Sequence, residues 1–174
     1  MKKAMIVVLC IIVGLLALSF GGCMAMTNYV VLFSDTEVPK EVIAQAEENA
    51  EGVFGDCIVS VNSARVTRDY EGNPTLVVTY NFTNYGTVGE TFWSRVKDTC
   101  YQNDIGLNEA YTLCNGDSFK EGSCDQEVKN GATILVERAY VLNDTETDVV
   151  VELCDYLSLD YNTYTKTISL SEIE

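Results

Sequence analysis

From Cys57 onward, apolar residues recur at every second position, and that period more than any other feature limits what the chain can become. Leu76, Val78, Tyr80 and Phe82 interleave with Thr75, Val77, Thr79, Asn81 and Thr83. Successive side chains of a strand point to opposite faces, so this spacing predicts a strand with one buried face. Similar runs predict strands over Ile58 to Arg68, Phe92 to Gln102, Ala132 to Leu142 and Tyr161 to Leu170. Val149, Val151 and Leu153 share one face of another, and Leu107 to Leu113 adds a short one. Turn clusters separate them: Glu71-Gly72-Asn73-Pro74, Asn84-Tyr85-Gly86, Asn103-Asp104-Ile105-Gly106, Asn130-Gly131 and Asn143-Asp144-Thr145. About seven short strands with frequent turns argue for an all-β fold, an immunoglobulin-like antiparallel β-sandwich over residues 56–174. Trp93, the single Trp, is expected to pack partly buried.

Residues 23–55 read as a linker holding one short helix, about Pro39 to Glu51. Pro39 suits a first helical turn, Val38, Val42, Ile43 and Ala46 follow helical spacing, and Gly52 is a natural stop.

The N-terminus is an address. Met1-Lys2-Lys3 is positive, Ala4 to Phe20 carries no charge, and Gly21-Gly22-Cys23 follows. A positive start, an apolar stretch and small residues before a cleavage point make an export signal over 1–22. The small pair directly before Cys23 resembles the lipobox of bacterial lipoproteins, in which the thiol takes up a diacylglycerol; Phe20 stands where Leu is usual. An uncleaved helical anchor to Met26 and ordinary cleavage with release are the other readings, since about 17 to 25 apolar residues suffice to span. Lys2 and Lys3 keep the N-terminus cytoplasmic. The expected location is the outer face of the bacterial cytoplasmic membrane, lipid-anchored or held by a single N-terminal transmembrane helix.

Composition narrows function. The 174 residues hold 11 Lys and Arg, 26 Asp and Glu and no His, a formal net charge of −15. Such a surface repels nucleic acid, whose recognition needs clustered cations. Without His there is no Ser-His or Cys-His nucleophile and no imidazole metal ligand.

Five cysteines follow Cys23: Cys57, Cys100, Cys114, Cys124 and Cys154. An exported location permits disulfides, and an odd number leaves one thiol over. Cys114 and Cys124 flank a polar stretch and are one candidate pair; Cys100 and Cys154, both in expected strands, are another. Cys57 is expected to be a small core hydrophobe. The absence of C-x-x-C and the irregular spacing argue against zinc. Asp144, Glu146 and Asp148 near one turn, and Asp155 and Asp160 near another, are the acidic clusters a calcium ion would want, without the D-x-D-x-D-G loop.

From Thr75 to Leu170 the chain carries a run of recognisable segments: Leu76-Val77-Val78-Thr79-Tyr80-Asn81-Phe82-Thr83-Asn84, Tyr101-Gln102-Asn103, Ile105-Gly106-Leu107, Val128-Lys129-Asn130-Gly131-Ala132-Thr133-Ile134 and Ala139-Tyr140-Val141-Leu142. This resembles a family of uncharacterised Gram-positive lipoprotein domains, the five-zero-six-seven type of domain of unknown function. The resemblance implies an immunoglobulin-like β-sandwich related to a secreted mycobacterial immunogenic antigen. It carries over no functional residues, since the family has none assigned.

Together these readings point to an exported, membrane-anchored domain that binds a protein or small ligand at the cell surface. A structural or interaction module of the envelope is the alternative, and a carboxylate-dependent hydrolase the remaining one. No catalytic residue, metal or cofactor is expected.

Overall fold

A computed structural model describes residues 38–49, 51–113, 121–157 and 163–173. All of them belong to the compact unit Ser34–Glu174. The expected signal segment, Cys23 and Cys114 lie outside the described residues.

Two antiparallel sheets face each other. The first runs in the order β1-β2-β3-β7-β6 and the second β5-β4-β8-β9. The strands are β1 (Gly52–Phe54), β2 (Cys57–Arg68), β3 (Pro74–Asn84), β4 (Val96–Gln102), β5 (Ile105–Gly106), β6 (Asn108–Glu109), β7 (Thr133–Val141), β8 (Val149–Asp155) and β9 (Thr163–Ile168). The all-β sandwich is therefore as the alternation implies. Leu76, Val78, Tyr80 and Phe82 of β3 are fully buried and meet Val149, Val151 and Leu153 of β8 in one core. Val77 is also buried, on the outer face of the first sheet beneath Ala110 and Leu113, so β3 is covered on both sides.

β2 pairs with β3 along its whole length, with a bulge between Val61 and Ser63. The bulge re-phases the strand: Cys57, Val59 and Val61 turn inward before it, Ala64 after it. At the β2–β3 turn, Asp69 Oδ1 accepts from the backbone N–H groups of Glu71 (2.9 Å) and Asn73 (2.8 Å), and Gly72 takes a φ of 88°. These bonds hold the Asp69 carboxyl below the usual carboxylate range, the Asn73 side chain contributing most. At the β4–β5 turn, Asn103 and Asp104 have φ of 52° and 62°. Two left-handed central residues match the twist of a tight hairpin, and Asn and Asp bear that conformation best. The turn is thus shorter than expected, with Ile105–Gly106 already in β5.

Three elements differ from expectation. Phe92–Arg95 is a helical turn (α2), not the start of a strand. Thr91 accepts from Ser94 N–H at 3.0 Å and Ser94 Oγ accepts from Thr91 N–H at 3.2 Å, a reciprocal cap that closes the turn. As a result Phe92 is buried against Tyr80 and Phe82, while Trp93 points outward and is 56% exposed rather than packed. The N-terminal helix (α1) spans Lys40–Glu48 with Pro39 at its cap, and Gly52 opens β1 instead of merely ending the helix. Val38 and Ala46 pack on Ile58, with Val42, Ile43, Val53 and Tyr85 around them. The segment expected to link is therefore part of the domain, and a boundary at residue 55 would cut the β1–β2 hairpin. Finally, Ile105–Glu109 changes sheets: β5 pairs with β4, β6 with β7, and Leu107 is buried between them.

Candidate ligand cleft

On the side where Ile105–Glu109 changes sheets, the sandwich opens into a cleft of about 450 Å³. Its floor is built from inward positions of both sheets. β7 contributes Arg138 and Tyr140, in phase with buried Val136; β4 contributes Asp98, in phase with buried Val96 and Cys100. Glu109 comes from β6 and Leu107 from the crossover. Trp93 from α2 and Tyr156 from the end of β8, 67% exposed, stand at the mouth.

The floor is charged although it lies between the sheets. Arg138 Nε donates to Asp98 Oδ2 at 3.2 Å, with the two side chains only 11% and 4% exposed. Tyr140 OH donates to the same carboxylate oxygen. Arg138 Nη2 lies 2.7 Å from Glu109 Oε1, close enough for an ion pair but not aligned as a hydrogen bond, so this buried N–H group has no aligned acceptor. The guanidinium carbon sits 5.2 Å from the centroid of the Trp93 ring, a cation–π distance. Burial works against the Arg138 charge, but Asp98, Tyr140 and Glu109 outweigh it and raise its pKa further. Burial, followed by the neighbouring Tyr80, Asp98 and Cys100, pushes the Tyr140 phenol well above its ordinary range. The phenol of Tyr80 is likewise raised, chiefly by burial, and its oxygen has no aligned partner. Arg138 is therefore a permanent cation and Tyr140 a permanent donor across the physiological range.

The sequence matches the family model of domain of unknown function DUF5067 over residues 34–155. The chain belongs to this family. DUF5067 here covers α1 through β8 and thus both sheets and every cleft residue except Tyr156. Two solved structures resemble the fold. One is of a presumed lipoprotein from Staphylococcus aureus subsp. aureus NCTC 8325, with 13% identity and a TM-score of 0.52 over 71% of this chain and 94% of that one. The other is an NMR structure of a protein from Enterococcus faecalis, with 20% identity and a TM-score of 0.50 over 70% of this chain and 90% of that one. No curated protein matches the chain.

In this DUF5067 domain the candidates picked from sequence fall apart from the cleft and from each other. Cys100 opposes Val151 in the β4–β8 ladder, whereas Cys154 opposes Lys97. An odd offset places their side chains on opposite faces of the sheet, and both are thiols, so the Cys100–Cys154 pairing does not form. Cys100 is buried, and burial raises its pKa. Cys154 faces outward and donates to Glu152 at 3.9 Å. Cys124 is buried, and its proposed partner Cys114 lies outside the described residues. Cys57 is the core residue expected of it; burial pushes its thiol up to about 12 against the pull of Arg95.

The acidic loops are committed to their own turns. Asp144 Oδ1 accepts from Glu146 N–H (2.9 Å) and Thr147 N–H (2.6 Å), and Oδ2 accepts from the Thr147 hydroxyl, bonds that lower its pKa. Asp148 accepts from Ser169, and Asp155 accepts from Leu157 N–H with Arg95 at 3.9 Å. Asp160 lies outside the described residues. Among the described residues no group of acidic or thiol side chains is arranged to hold a metal ion.

Sequence reasoning missed Asp98, Glu109, Arg138 and Tyr140. The signal is present: Arg138 occupies the same face as Ile134, Val136 and Tyr140, and a charge on the inward register of a strand needs a partner there.

Proposed function

We propose that this chain is an exported lipoprotein, held at the outer face of the membrane through Cys23, whose immunoglobulin-like sandwich binds a ligand in the Trp93–Tyr156 cleft. The reading is of a binding domain and not an enzyme. The observation that carries it is the cleft itself, in which two large aromatic side chains stand exposed above a buried, charge-paired floor. Clefts of about 300 to 1,000 Å³ with apolar walls and a few placed polar groups are the usual form of small-molecule sites. The two facing antiparallel sheets support the immunoglobulin-like type; the kinship to the mycobacterial antigen rests on the sequence resemblance alone. The lipoprotein part is supported by the export pattern ending in Cys23 and by the presumed lipoprotein among the similar structures. No described helix is long and apolar enough to cross a membrane; a spanning N-terminal helix is the competing anchor.

Two measurements test the proposal. Cys23→Ala should leave an unlipidated precursor of slower migration, and unchanged processing and partitioning would remove the lipid anchor. A fragment screen read on the single Trp indole N–H resonance tests the cleft. Perturbation of Trp93 by saturable binders is expected, and uniform silence of that resonance would refute a binding role for this site.

A further inference from the structure

Resting on the cleft being a binding site, we infer that its ligand is a neutral, hydroxyl-rich ring, of the chemical type of a pyranose unit in a glycan chain. Charge decides against the alternatives. Among the inward-facing residues of the lining, Arg138 is a cation and Asp98 and Glu109 are carboxylates. An anionic ligand meets Asp98 and Glu109 as well as the field of a chain with a net charge of −15. A cationic ligand would suit exposed Trp93 and Tyr156, but the Arg138 guanidinium already lies over the Trp93 ring and repels it. A wholly apolar ligand would cover the partly exposed Glu109 carboxylate and take its water without replacing it.

A neutral hydroxyl has no such conflict. It donates to the Glu109 carboxylate, which is 30% exposed. The C–H face of a pyranose offers flat apolar surface for Trp93 and Tyr156, which no polar group of the cleft could use. The ligand is thus amphipathic in the way the cleft is, with hydroxyls toward the floor and carbon toward the mouth.

The test uses the full chain in amine-oxide detergent, which carries no sugar, with Trp93 emission as the readout. The probes share ring geometry and differ in charge: the neutral cellotetraose, maltotetraose and tri-N-acetylchitotriose, the cationic chitotriose and the anionic tri-galacturonate. The expected result is a saturable change of Trp93 emission with at least one neutral probe at millimolar concentration. The charged probes should bind at least about tenfold more weakly. Tyr156→Ala should weaken the neutral probe several-fold without moving the melting temperature. Glu109→Gln, which removes one of the two carboxylates beside Arg138, should weaken the neutral probe and narrow the gap to the anionic one. No response to any neutral probe, or equal or stronger binding of a charged one, overturns the glycan inference. If fragments still perturb the Trp93 indole resonance in that case, the cleft stands as a binding site and only its ligand class falls.

Discussion

Two parts of the same interlayer space are filled by opposite means. Around Phe54, Phe82 and Phe92 the sheets close on aromatic rings, with Phe82 and Phe92 edge-to-face at 5.8 Å. Around Tyr140 they close on an ion pair, Asp98 with Arg138, capped by Glu109 and Trp93. Both fillings are buried, yet only the first contributes to folding through area removed from water. Apolar side chains of similar volume commonly match or exceed a buried ion pair in stability. The charged filling is therefore not demanded by the fold, and its position below the open mouth gives it a different reason to exist. The apolar half makes the sandwich, and the charged half is what the proposed site is built on.

The sharpest break of that comparison is in the apolar half. Phe82→Ala should cost about 4 kcal/mol in urea unfolding, because the cavity it leaves is walled by Phe92 and both sheets. A loss under about 1 kcal/mol would mean that the aromatic half is not what holds the layers together.

The charged half should behave conditionally. Asp98→Ala alone leaves Arg138 and Tyr140 OH without their shared acceptor and should cost about 3 kcal/mol. Asp98→Leu combined with Arg138→Met should recover most of that loss in the same unfolding experiment while ligand binding stays abolished. A double variant as unstable as Asp98→Ala would show that the ion pair is structural after all.

A second polar cluster supplies a control, since it is buried and does not line the cleft. Gln102 is fully buried; its Nε2 donates to the carbonyls of Thr147 (2.7 Å) and Asp144 (3.2 Å), and its Oε1 accepts from Asn143 N–H (2.8 Å). It ties the β7–β8 loop to β4. Gln102→Ala should cost about 2 kcal/mol, from the backbone groups left unpaired, and should leave any cleft ligand bound as before.

What the sequence shows and hides follows the same division. The alternation over 75–83 is enough to place β3, because burial on one face leaves a period that nothing else in the chain imitates. The run Phe92, Ser94, Val96 carries the same period, but the reciprocal Thr91–Ser94 cap outweighs it locally, and that cap alone turns Trp93 outward. β1 is three residues long and is visible only through its pairing with β2. The site is the least legible part, since Asp98, Glu109 and Arg138 lie on three strands and their partnership depends on how the sheets face. Cys100 and Cys154 illustrate the reverse: two cysteines in adjacent strands seem paired until register puts them on opposite faces.

Alkaline pH separates the halves more gently. The folded pKa of Cys57 is raised to about 12, above its unfolded value. The unfolded chain then loses its proton first, so the stabilisation is complete below about pH 8.5 and is lost as pH climbs toward 12. Unfolding followed between pH 8 and 11 should show stability falling with pH, less steeply in Cys57→Ala. A slope identical in the variant would assign the effect to the other raised groups, chiefly buried Cys100, Tyr80 and Tyr140, which act in the same direction.

The smallest effect on stability belongs to the residue expected to matter most for binding. Trp93 is exposed and its one described ring contact is with Arg138, an interaction worth about 0.5 to 1 kcal/mol at such sites. Trp93→Ala should therefore shift unfolding by under about 1 kcal/mol, while calorimetric affinity for a cleft ligand falls at least about tenfold. If the variant instead loses several kcal/mol with affinity intact, Trp93 is a packing residue and the charged floor beneath it has no mouth. A residue that costs the fold almost nothing to remove, yet is held outward by a two-bond cap, is accounted for by what it meets from outside.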